Sequence, residues 1–127
     1  MKIGFDAKRA ILNDSGLGNY SRNTLNALHQ FYPENRYVLF TPVINKERFH
    51  HYEAFDVISP DSPVSKIFKS FWRSFSVSGQ LQKQEIDIFH GLSNELPEGI
   101  HKTKVPSVVT IHDLIFLRFP QFYKPID

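Results

Sequence analysis

The 127-residue chain predicts an α/β fold built on a doubly wound parallel sheet, and three observations predict it. Short apolar strands alternate with helical stretches, the pattern of βαβ units whose sheet is covered on both faces. The first strand feeds a Gly-x-Gly loop and then an amphipathic helix. With right-handed crossovers the strand order is 3-2-1-4-5, which brings the carboxyl ends of strands one, four and five together. Three loops converge there, at residues 8–18, 90–97 and 112–113. The expectation is one Rossmann-like α/β/α domain spanning residues 1–127.

Each element has a local reason. Ile3 and Phe5 alternate with small or polar neighbours, as in a strand with one packed face. Asp14 and Ser15 offer helix caps, and Leu17, Tyr20, Thr24, Leu28 and Phe31 then recur at helical spacing as one predicted inward face. Pro33 stops that helix. Residues 37–40 read as a second strand, 45–52 as a short helix and 55–59 as a third strand. Ile67, Phe68, Phe71, Trp72 and Phe75 form an apolar helical stripe beside a basic one of Lys66, Lys69 and Arg73. The serines and glycine of residues 74–79 predict a break before the helix resumes at 80–85. Residues 86–89 and 106–111 supply strands four and five, and 115–127, with two prolines, reads as irregular.

Composition narrows the function. An apolar fraction of 41% and a charged fraction of 22% suit a soluble globular protein. A net charge of +2 falls far short of a nucleic-acid binder's basic face. The chain has no cysteine, which excludes disulfides and thiolate chemistry. No apolar run approaches the ~20 residues that span a bilayer, and the N-terminus enters a strand at once, so a cytoplasmic domain is expected.

The loops point to an oxyanion. A strand, a glycine loop and a helix N-terminus leave backbone N–H groups and a positive dipole end facing one spot. A dinucleotide site is set aside, because the third glycine position is Ser21 and strand two ends without an acidic residue. No Gly-Lys-Ser or Gly-Lys-Thr makes a phosphate loop, and no Gly-x-Ser-x-Gly makes a serine nucleophile. His90, His112 and Asp113 fall short of a clear metal-ligand set.

Residues 2–9 followed by Gly16-Leu17-Gly18-Asn19-Tyr20-Ser21, then Asp87-Ile88-Phe89-His90 with Leu96-Pro97, then Thr110-Ile111-His112-Asp113-Leu114, resemble the N-terminal domain of family 4 glycosyltransferases, in the manner of bacterial mannosyltransferases. The resemblance implies the GT-B fold, in which an acceptor-binding domain faces a second domain that holds a nucleotide sugar. It implies retaining transfer of the sugar to a saccharide or lipid-linked acceptor, with no metal and no cofactor beyond that donor substrate. It places His112 and Asp113 at the reacting centre, and gives Arg9, Gly16, Leu17, Gly18, Tyr20, His90 and Asn94 to substrate binding. Asn19 departs from the arginine of many relatives, and the donor domain is not among these residues. Expected partners are that donor domain, the acceptor, a second copy of the chain, and an anionic membrane surface under Lys66, Lys69, Phe71, Trp72 and Arg73. The last would put the domain at the inner face of the membrane. The rival reading is a non-catalytic scaffold that binds a partner or a membrane.

Overall fold

A computed structural model describes residues 1–60 and 76–122. The strands β1 (Lys2–Asp6), β2 (Arg36–Phe40), β3 (Asp56–Ile58), β4 (Ile88–Gly91) and β5 (Ser107–Val109) form one five-stranded parallel sheet. Their order is β3-β2-β1-β4-β5, as predicted. Side chains alternate across it, as the two-residue period of a strand requires. Tyr37 and Leu39 join Phe5 in a core on one face, under Ala10 and Ile11 of α1 (Lys8–Leu12) and Leu25 of α2 (Gly16–Phe31). Val38, Phe40 and Phe89 pack on the other face against Val77 and Leu81 of α3 (Val77–Lys83). Gly4 fits that second core because a β-carbon there would lie 3.1–3.2 Å from Phe40, Ile86 and Phe89.

Several local expectations are corrected. The loop 8–18 contains a helix, α1, whose Ala10 and Ile11 are buried. The fully buried residues of α2 are Gly18, Ser21 and Leu25, with Leu28 packed beside them as predicted, while Tyr20 and Phe31 are exposed. Small residues turn inward there because α2 lies close against the exit of α1. Residues 45–51 form turns, with Asn45 Oδ1 accepting from the Glu47 N–H at 3.1 Å, and only a 3₁₀ turn follows at Tyr52–Ala54. Residues 74–75 of the expected break lie outside the described residues. The helix α3 begins at Val77 rather than at 80 and continues through Ser78 and Gly79, since Val77 and Leu81, one turn apart, are both buried. Burial at both positions outweighs the roughly 1 kcal/mol that a helical glycine costs. Strand four starts later than predicted and includes His90 and Gly91. A short helix, α4 (Ile115–Arg118), and a 3₁₀ turn stand where an irregular tail is predicted. The aromatic and basic stripe of residues 66–75 lies outside the described residues. No helix among the described residues is long and apolar enough to cross a membrane.

Candidate functional site

The register of the sheet decides which side chains meet. Phe5 pairs with His90 across β1 and β4, so both project to the α2 face, and their rings lie 5.8 Å apart. Burial alone lowers the His90 pKa below its ordinary value, which favours the neutral ring. Its Nε2 lies 2.8 Å from the hydroxyl of Thr110, the first residue beyond β5. The same hydroxyl lies 3.2 Å from the Tyr20 hydroxyl on α2. The Tyr20 ring stands at 88° to the His112 ring with centroids 4.8 Å apart.

His112 is fixed at two points. Its backbone N–H donates to Asn94 Oδ1 at 2.9 Å, and its Nε2 lies 2.8 Å from the Leu92 carbonyl. A carbonyl oxygen only accepts, so Nε2 carries the proton. In the tautomer with that single ring proton, Nδ1 keeps a lone pair able to accept a hydrogen bond from a ligand hydroxyl. Asn94 sits at φ 56°, a left-handed conformation that asparagine tolerates. Its own N–H donates to the Thr110 carbonyl at 2.9 Å, so Asn94 clips the β4 loop to the exit of β5.

The glycine loop borders this cluster, one turn before Tyr20. No side chain caps α2, and Asn19 N–H to Ser15 O is the bond that opens its ladder. The N–H groups of Gly16, Leu17 and Gly18 therefore form the open first turn. A β-carbon on Gly16 would meet nothing within 4 Å, whereas one on Gly18 would run into the Asn13 carbonyl oxygen. Gly18 thus permits a close backbone approach, and Gly16 leaves backbone open. Arg9, on α1, has a buried Nε with no hydrogen-bond partner.

Of the predicted residues, the structure brings Tyr20, His90, Asn94 and His112 into one bonded cluster, with Gly16, Leu17 and Gly18 on the adjoining helix turn. It does not bond Arg9 or Asp113 to that cluster. Asp113 is exposed, and its Oδ1 accepts from the Ile115 N–H at 3.1 Å, opening α4. Thr110 escaped the sequence reading, although it lies inside a motif, because a β-branched residue there reads simply as strand. Among the described residues no group of three or more histidine or acidic side chains is placed to hold a metal ion. Comparison with protein-family models, curated proteins and solved structures gives no match.

The arrangement offers hydroxyl and imidazole hydrogen bonds next to an open helix N-terminus. That combination suits a polyhydroxylated ligand with an anionic group alongside.

Proposed function

We propose that this chain is the acceptor-side domain of a retaining glycosyltransferase that uses a nucleotide-sugar donor, and that it works in the cytoplasm. The observation that supports the reading is the meeting of three sequence-distant motifs at the carboxyl edge of the sheet. Tyr20 comes from the first, His90 from the second, and Thr110 and His112 from the third. In this reading His112 Nδ1 accepts a sugar hydroxyl beside the reacting carbon. The N–H groups at Gly16–Gly18 and the Arg9 guanidinium face the departing diphosphate, whose charge they offset. The opposite wall of the cleft is the donor domain.

One wall binds weakly. Exposed ionic contacts are worth ~0–1 kcal/mol each, and ordering a flexible nucleotide costs about 4 kcal/mol or more. The 127-residue chain should therefore bind UDP- and GDP-sugars no better than about 1 mM and transfer no sugar unaided. Titration followed by NMR tests this directly. The expected result is millimolar binding with shifts centred on Tyr20, His112 and Gly16. Shifts confined to other parts of the fold would overturn the assignment, and low-micromolar affinity would favour a self-sufficient nucleotide-binding protein.

A further inference from the structure

We infer that Thr110 is a positioning residue: its hydroxyl, held between His90 and Tyr20, sets the pose of the Tyr20 ring and through it that of His112. Tyr20 is 37% exposed, so packing alone does not fix it. What holds it is the 3.2 Å bond from its hydroxyl to Thr110 Oγ1 and the right-angled contact with His112.

Thr110 is suited to hold it. Its N–H donates to the Gly91 carbonyl and its carbonyl accepts from the Asn94 N–H, both at 2.9 Å, so its backbone is tied on both sides. Its β-branched side chain has few rotamers. A hydroxyl can donate one hydrogen bond and accept two, so it serves His90 and Tyr20 together whichever of them donates. On the far side His90 is backed by Phe5. Three elements, α2, β4 and the exit of β5, thus meet at one oxygen atom. Without that oxygen the Tyr20 hydroxyl turns to water, the ring is freed, and the His112 side chain keeps only its bond to Leu92.

The effect on sugar transfer rests on the function proposed above, but the positioning itself does not. Two substitutions separate hydrogen bonding from packing. Thr110→Val keeps the shape and removes the hydroxyl, while Thr110→Ser keeps the hydroxyl and removes the methyl. The readout is the ring-current displacement that Tyr20 imposes on the carbon-bound protons of the His112 imidazole, measured by NMR on the whole chain without ligand. Thr110→Val should lose most of that displacement and Thr110→Ser should retain it. Tyr20→Phe, which keeps the ring but not its hydroxyl, should behave as Thr110→Val does, and it decides the matter if the valine variant does not fold. A wild-type displacement in Thr110→Val or Tyr20→Phe, or its loss in a folded Thr110→Ser, would overturn the inference. A positive result here, with UDP- and GDP-sugars leaving Tyr20 and His112 unmoved, would reject the proposed function and leave the positioning role intact.

Discussion

A β-carbon on Gly18 would collide with backbone, and backbone yields less readily than the end of a long side chain. Gly18→Ala should therefore destabilise the protein by about 1–3 kcal/mol, the usual range for overpacking. Gly16→Ala meets open space on a helix and should be neutral or stabilising by up to ~1 kcal/mol. Urea denaturation of the two variants checks this, and equal losses would contradict the geometry. His90 carries a pH dependence of defined sign. Its folded pKa lies below the ordinary 6.5, so the unfolded chain binds more protons once pH falls below about that value. The His90 contribution to stability is complete above that pH and declines from there down to the folded pKa. The stability gap between wild type and His90→Asn should shrink as pH falls from 7 to 5, and a widening gap would reverse the assignment. At this scale the sequence marks which residue types gather at the site, and His90, His112 and Tyr20 do meet. It does not show hydrogen-bond direction or the role of Thr110, since both depend on contacts between residues 20 and 90 positions apart.

Among the elements, α1 depends on the others for its stability. A five-residue helix does not stand alone in water, and its carbonyl end is secured by two arginines from elsewhere. Arg22 of α2 donates to Ala10 O at 2.8 Å and Asn13 O at 2.9 Å, and also to Asn19 Oδ1 at 2.7 Å. Arg48 donates to Leu12 O at 2.6 Å while pairing with Asp14 at 2.9 Å. Positive groups at a helix carboxyl end also favour its dipole. Arg22→Met should cost about 2 kcal/mol, in the range of hydrogen bonds made by charged donors. It should also speed amide exchange across residues 13–18, and unchanged exchange there would argue against a role in holding the loop. Local periodicity could not reveal α1, because its partners lie as far as 36 residues away. It revealed α2 well but placed its inward face only in part, since Leu28 packs on the core while Tyr20 and Phe31 are exposed. The rule that large apolar residues face inward fails where close backbone approach favours Gly18 and Ser21. Asn19, on the first turn of α2, here helps orient Arg22.

For the molecule as a whole, strand order was legible because crossover handedness and loop lengths leave few arrangements of five parallel strands. The far edge was not. From Val108 of β5 through Leu114, Leu117 and Phe122, large apolar side chains remain exposed, with Phe122 at 77%. Periodicity shows that a segment is apolar without showing whether anything covers it. Leu117→Glu, on α4, should shift stability by less than about 0.5 kcal/mol, as surface changes usually do, while reducing binding of a hydrophobic dye. A large fall in melting temperature would mean that Leu117 is packed. The sheet order has a further consequence during synthesis. The middle strand, β1, is made first, and Ile3 pairs with Tyr37 on one side and Ile88 on the other. The β4 partner lies 85 residues downstream, and ribosomes add about 5–20 residues per second. One edge of β1 therefore waits roughly 4–17 s for its neighbour at those rates. The nascent chain can close only the β1–β2–β3 half of its sheet in that interval, leaving the site edge to be completed last.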